Sequence, residues 1–105
     1  DRPAPVLEEG MITSDEPGYY AENEFGIRHE NLIVCKKGPK TAYGQFMEFE
    51  PLTMVPFDLD GIDPSQMDSR ERRLLNQYHQ LVYKNISPYL SDEEKEWLKT
   101  VTKEI

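Results

Sequence analysis

The spacing of hydrophobic residues changes at about Phe57, from the two-residue period of strands to the longer period of helices. Before that position the pattern predicts three strands separated by turn residues. Pro51 cannot donate a ladder hydrogen bond, so the third strand is expected to lie at a sheet edge or to bend there. The predicted strands are Met11–Ser14, Gly26–Val34 and Gln45–Val55, with Lys36–Gly44 as a connecting loop.

After Phe57 the sequence predicts two helices, each starting with a capping box. Asp68 and Glu71 begin a helix that extends to about Asn85, and Ser91 and Glu94 begin the last helix. Apolar residues at helical spacing form one stripe along each helix, and each stripe needs a surface to pack on. The stripes are Leu74, Leu75, Tyr78, Leu81 and Val82 on the first helix, and Trp97, Leu98, Val101 and Ile105 on the second.

These elements predict an α+β fold, in which a mainly antiparallel sheet is followed by two helices. We expect a strand-rich part at 1–57 and a helical part at 58–105, both belonging to one domain. A chain of 105 residues, of which 37% are hydrophobic, buries at most one small core. Residues 1–5 are proline-rich and expected to be extended. The first methionine is Met11, and we therefore expect the chain to be part of a longer protein.

The charge balance and the cysteine content narrow the classes of partner. The chain has 12 Lys and Arg against 20 Asp and Glu, for a formal net charge of −8. Such a chain repels phosphate backbones, so nucleic acid is not an expected partner. No apolar run in the sequence is long enough to cross a bilayer, and no membrane partner is expected. Cys35 is the only cysteine, which fits a reducing compartment, and we expect a cytoplasmic protein.

Two carboxylates are the first candidates for chemistry, because each is predicted at a place where a charge is costly. Glu30 precedes the apolar run 32–34, and Glu16 adjoins the turn dipeptide Pro17-Gly18. A carboxylate at the end of a buried strand must be paired, protonated or bound to a metal.

Strand alternation predicts which neighbours share a face with Glu30. Within a strand at 26–34, Arg28 points to the same side as Glu30, and His29 points to the other. Arg28 is therefore expected to neutralise acids beside Glu30. On spacing alone, a structural ion pair and a metal site both remain open, and the ion pair is the commoner of the two.

Three sequence blocks follow one another along the chain: Ser-Asp-Glu-Pro-Gly-Tyr-Tyr at 14–20, Phe-Gly-Ile-Arg-His-Glu-Asn at 25–31 and Phe-Glu-Pro-Leu-Thr at 49–53. In order and spacing they resemble the end of the catalytic domain of aminopeptidase P, over about residues 3–105. Prolidase and methionine aminopeptidase, which share its pita-bread fold, carry the first two blocks as well. The segment Phe49–Pro56 and the helical tail with Asn76-Gln77-Tyr78-His79 resemble the larger, three-domain aminopeptidase P enzymes in particular. The resemblance implies a C-terminal portion of a pita-bread domain with a curved sheet.

In that family, two divalent cations, usually manganese, are held by two aspartates, one histidine and two glutamates. The resemblance implies that Glu16 binds one metal and serves as the proton shuttle, and that Glu30 bridges both metals. Oxygen ligands suit manganese, and a pair of such ions lowers the pKa of a shared water that attacks the peptide carbonyl. Arg28 resembles a residue that holds one of the metal-binding aspartates, and it is counted with Glu16 among the catalytic candidates.

The remaining ligands of the family, two aspartates and a histidine, precede the first residue of this chain. We therefore expect the chain alone to be inactive and to need the upstream part of its own catalytic domain. The whole enzyme is expected to remove the N-terminal residue from peptides with proline in second position. Several larger members place the helical tail near a homodimer contact, so a homodimer is expected as well.

Two alternatives remain open. A prolidase, which cleaves dipeptides, would share Glu16 and Glu30, but the block at 49–56 and the long helical tail argue against it. A pita-bread protein that has lost its metals would act as a binding module, and the presence of both glutamates together with Arg28 argues against that.

Several other polar and aromatic residues are given structural roles. His29 stands where the family usually has an aliphatic residue, and is expected to be a partly exposed strand residue. Glu48 and Glu50 on the third strand, and His79 on the first helix, are expected to contribute to structure. Tyr19 and Tyr20 either line the site or belong to the core.

Overall fold

The computed structural model describes residues 4–105, so most of the extended segment expected at 1–5 lies outside the described residues. The chain divides into two compact units between Thr53 and Met54, close to the predicted change at Phe57. Strands in the first unit and helices in the second confirm the α+β fold class. The strands are β1 (Ile12–Asp15), β2 (Gly18–Ala21), β3 (Phe25–Arg28), β4 (Asn31–Thr41) and β5 (Gly44–Pro51), and the α-helices are α1 (Ser69–Ile86) and α2 (Asp92–Val101).

All strand pairs in the first unit are antiparallel. Three strands form a sheet in the order β1-β4-β5, and β2 pairs with β3. The third predicted strand ends at Pro51, on the edge strand β5, which confirms the expectation drawn from that proline. Cys35 of β4 is buried, with 1% of its surface exposed.

The predicted loop at Lys36–Gly44 is wrong. β4 continues to Thr41 and pairs with β5 from Gly44 onward, so that only two residues connect the strands. Gly44 has a φ of 128°, which a residue with a side chain rarely adopts. The segment looked like a loop because its lysines are hydrophilic, but Lys36 pairs with Glu48 on the facing strand. Opposite charges across a ladder stabilise a strand that is exposed to solvent.

The predicted strand at Gly26–Val34 is interrupted, and another strand was missed. β3 ends at Arg28 and β4 begins at Asn31, with His29 and Glu30 between them. β2 begins at Gly18, which the sequence predicts as a turn residue, and no strand is predicted at Gly18–Ala21. Both errors have one cause, since the hydrophobic pattern of one segment does not show which residues of another segment it pairs with.

The second unit follows the predicted capping boxes. The Asp68 side chain accepts from the Glu71 N–H at 2.8 Å, and Ser91 accepts from the Glu94 N–H at 3.2 Å. In both boxes the glutamate accepts the N–H of the cap residue in return. The predicted stripes are only partly buried, because Leu74 and Trp97 remain exposed. The residues that α1 and α2 do bury are Leu75, His79, Val82 and Leu98.

Several side chains of α1 bind backbone atoms outside the helix. Asn76 pairs with the backbone of Ile105 through two hydrogen bonds of 3.1 and 3.3 Å. The Tyr78 hydroxyl donates to the Val55 carbonyl at 2.8 Å, and Nε2 of His79 accepts from the Phe57 N–H at 3.0 Å. The segment before α1 and the residues after α2 are thereby fixed to the same helix. Among residues 4–105, no helix combines the length and the apolar character that a membrane span requires.

Candidate functional site

Glu16 and Glu30 lie opposite each other at a break between two strand ladders, where the strands are interrupted but the register continues. Asp15 pairs with Asn31 at the end of the β1/β4 ladder, and Gly18 pairs with Arg28 at the start of the β2/β3 ladder. Both ladders follow the same register, so the residues between them are also opposed. The break therefore contains two acidic residues opposite each other.

A hydrogen bond within the break supports this register. The His29 N–H donates to the Pro17 carbonyl at 3.1 Å, so those two residues are opposed as the register requires. His29 itself is half-buried. The backbone on either side of Glu30 is thus held in place by pairing, although Glu30 belongs to no strand.

Arg28 forms an ion pair with Glu30, with Nη2 of the arginine 3.0 Å from the Glu30 Oε2. The prediction that Arg28 lies beside Glu30 is confirmed. The uninterrupted strand from which it was predicted is not present. The pair is open to solvent, with 52% of the Arg28 side chain and 38% of the Glu30 side chain exposed. Such a pair contributes little to stability by itself.

The expected burial of the carboxylates is wrong for the described chain. Glu16 and Glu30 are both exposed, because they lie in the break and not at the end of a covered strand. Like charges directly opposite each other in a ladder destabilise the pairing. Arg28 offsets one of the two negative charges, and a cation bound between the carboxylates would offset the other.

Tyr20 lies on the same face as Glu16 by strand alternation, and its ring lies close to two glycines of the β2/β3 ladder. A Cβ atom added at Gly26 would lie 2.8 Å from the Tyr20 ring, and one added at Gly18 would lie 2.7 Å from its hydroxyl. The ring therefore lies flat along the ladder over both glycines, with its hydroxyl beside Gly18, the residue that pairs with Arg28. Alternation of Glu16, Gly18 and Tyr20 is the sequence signal that indicates this shared face.

Tyr19 and Tyr20 are not core residues of the described chain, since 63% and 67% of their surfaces are exposed. Glu48 and Glu50 contact Lys36 at 3.6 and 3.8 Å, as exposed ion pairs on the β4/β5 ladder. Within residues 4–105 there is no group of three or more His, Cys, Asp or Glu side chains that could hold a metal ion. The described residues thus supply two opposed carboxylates and an arginine to the candidate site.

Two protein-family models match this chain. Residues 45–105 match the family described as the C-terminal region of peptidase_M24, and residues 1–37 match Metallopeptidase family M24. The chain belongs to the peptidase M24 family. The M24 match at 1–37 contains Glu16, Arg28 and Glu30, and the match at 45–105 contains the whole helical unit.

Relatives of this M24 chain are named as aminopeptidases. It is 38% identical over 104 residues to "Probable Xaa-Pro aminopeptidase P" of Paracoccidioides brasiliensis (strain Pb03), an alignment that covers 94% of the chain and 17% of the relative. It is 41% identical over 99 residues to the protein of the same name from Arthroderma otae, covering 90% of the chain and 16% of the relative.

A solved structure agrees with these relatives. The X-prolyl aminopeptidase of Caenorhabditis elegans, described as a cytosolic enzyme with a dinuclear active site, matches with a TM-score of 0.83 and 31% identity. The match covers 94% of the M24 chain and 17% of the worm protein. The resemblance to the C-terminal part of the aminopeptidase P catalytic domain is confirmed. The M24 chain spans about one sixth of the length of the proteins it matches.

Proposed function

We propose that this chain is the C-terminal part of the catalytic domain of a two-metal Xaa-Pro aminopeptidase. The whole enzyme would remove the N-terminal residue from peptides with proline in second position. The observation that carries the proposal is the opposition of Glu16 and Glu30 at the break in the register. The names of the relatives support the class of substrate.

The donor set fits divalent cations. Glu16 and Glu30 are exposed, and hard oxygen ligands of this kind suit manganese, the metal that we propose. Glu16 and Glu30 would hold the ions, and Glu16 would also transfer a proton between the attacking water and the leaving amine. When bound, such a pair of cations activates water and polarises the peptide carbonyl.

Arg28 would keep Glu30 in place from the side. Its guanidinium already contacts one carboxylate oxygen of Glu30 at 3.0 Å, and residues that hold a ligand in this way tune the metal site. The remaining ligands, two aspartates and a histidine, would come from the upstream part of the same catalytic domain. Apolar side chains exposed on the strand unit, such as Ile12, Phe25 and Phe46, offer that part a surface to pack on.

The helical unit is proposed to take part in a homodimer. Trp97 lies on α2 with 61% of its surface exposed, and Leu74 on α1 with 46%. Large exposed aromatic side chains are typical of protein interfaces. We also propose a cytoplasmic location, which the description of the Caenorhabditis elegans enzyme supports.

The proposed function predicts a pattern of cleavage. The full-length protein that carries this chain, loaded with Mn²⁺, is expected to hydrolyse an Xaa-Pro-Yaa tripeptide at least about a hundredfold faster than the matching Xaa-Ala-Yaa peptide. Release of the first amino acid, measured by chromatography, is the readout. Preference for an Xaa-Pro dipeptide would identify a prolidase instead. No cleavage and no bound metal would identify a binding module without catalytic activity.

A further inference from the structure

Thr53 completes the backbone pairing of β4 where β5 leaves it. The β4/β5 ladder ends with Ile33 opposite Pro51, and one residue farther the Leu52 N–H still donates to the Leu32 carbonyl at 2.8 Å. In a regular antiparallel ladder, Leu32 would return this bond by donating to the Leu52 carbonyl. Here the Leu32 N–H donates to the Thr53 Oγ1 instead, at 2.8 Å.

The Thr53 hydroxyl thus takes the place of a backbone carbonyl. The Thr53 N–H also approaches the Leu32 carbonyl, at 3.4 Å, so that Thr53 contacts both polar backbone groups of Leu32. Leu32 is the second residue after Glu30. Thr53 therefore restrains the backbone that leads directly from the candidate metal-binding carboxylate into β4.

We propose that Thr53 is a positioning residue for Glu30, an inference that rests on the proposed metal-binding role of Glu30. On its other side, Glu30 is restrained by the bond from the His29 N–H to the Pro17 carbonyl at 3.1 Å. On the β4 side, the bond from the Leu32 N–H to Thr53 adds to the pairing of Asn31 with Asp15. A carboxylate outside any strand needs both restraints, because misplacing a ligand weakens the binding of its metal.

The chemistry of the bond identifies the variants that test it. Valine has nearly the shape of threonine but cannot accept a hydrogen bond, whereas serine retains the hydroxyl. Thr41 is a matched control, because its Oγ1 accepts the Tyr43 N–H at 3.1 Å at the opposite end of β4. Thr41→Val thus deletes the same kind of bond at a distance from Glu30.

Two readouts on the full-length protein separate positioning from general stability. The first is the dissociation constant for Mn²⁺, obtained by calorimetric titration of the metal-free protein. The second is amide hydrogen exchange of the folded protein over residues 30–32. Thr53→Val is expected to weaken Mn²⁺ binding by about 10- to 100-fold and to speed exchange at Leu32, while Thr53→Ser stays within about threefold of wild type.

Thr41→Val is expected to speed exchange near Tyr43 and to leave Mn²⁺ binding unchanged. The proposal is overturned if Thr53→Val binds Mn²⁺ as tightly as wild type, or if Thr53→Ser is as impaired as Thr53→Val. Thr53→Ala, which also lacks the hydroxyl, serves if the valine variant does not fold. Wild-type protein that binds no Mn²⁺ would refute the proposed function itself, whereas loss of the difference between variants would refute only the role of Thr53.

Discussion

In the full-length protein, Glu30→Gln is expected to reduce the bound metal by at least one ion per chain and to lower kcat/KM on the order of a thousandfold. The substitution keeps the size of the side chain but removes its negative charge and one carboxylate oxygen. It also removes the charge partner of Arg28, whose Nη2 lies 3.0 Å from Glu30. Metal content after gel filtration and peptide hydrolysis are the measurements.

Two variants calibrate this loss. Arg28→Lys retains the positive charge and leaves both carboxylates intact, so it is expected to weaken metal binding by only about 10- to 100-fold. Glu48→Gln removes an acid whose contact with Lys36, at 3.6 Å, is an exposed ion pair, and it is expected to change neither metal content nor activity. Equal losses of metal in Glu30→Gln and Arg28→Lys would show that the two roles are assigned wrongly.

The second large effect concerns His79, which has 0% of its surface exposed. Its Nε2 accepts the Phe57 N–H at 3.0 Å. His79→Ala would create a cavity where α1 packs and would remove the acceptor of that hydrogen bond. The substitution is therefore expected to lower the unfolding free energy by about 2–4 kcal/mol. Urea unfolding of the 105-residue chain can be followed by the fluorescence of Trp97, its only tryptophan. His29→Ala, at a half-buried site in the strand unit, is the control and should cost less.

The same histidine predicts a pH dependence of stability. Burial lowers the pKa of His79 from its ordinary value of 6.5. The unfolded chain therefore takes up a proton near pH 6.5, which the folded chain accepts only at lower pH. The contribution of the neutral imidazole is fully present above pH 6.5 and is lost as pH falls from there through the lowered folded pKa.

Protonation would also place an N–H of the imidazolium against the Phe57 N–H, so that both groups would be donors. The unfolding free energy should thus fall between pH 7.5 and 5, by at most about 1.4 kcal/mol per pH unit for one proton. His79→Gln should abolish this part of the slope, and His29→Gln should not. An unchanged slope in His79→Gln would contradict the assignment.

Local signals predicted the helical unit well. Capping boxes at Asp68 and Ser91 fix the helix starts through bonds between residues three apart, which a single sequence displays directly. The stripes were less accurate, because the side of a helix that is covered depends on elements distant in sequence. Leu74 and Trp97 are apolar and correctly spaced, and both remain exposed in this chain.

The strand unit was harder to predict because its two hairpins carry only a weak hydrophobic signal. The β4/β5 hairpin joins a lysine-rich segment to an acid-rich one, and neither has a strong hydrophobic alternation. The resemblance to a known family identified Glu16 and Glu30, but not their arrangement. Their opposition became evident only from the common register of two ladders, and the Thr53 bond depends on where β5 leaves β4.

Joint metal binding by Glu16 and Glu30 across the break in the register is the core of the proposed function. Its most direct test is a crystal structure of the full-length protein with Mn²⁺, with anomalous differences recorded on both sides of the manganese absorption edge. We expect two manganese peaks, one coordinated by Glu16 and Glu30 together and one by Glu30 without Glu16. Manganese bound away from both carboxylates, with Glu30 still paired only to Arg28, would contradict the account.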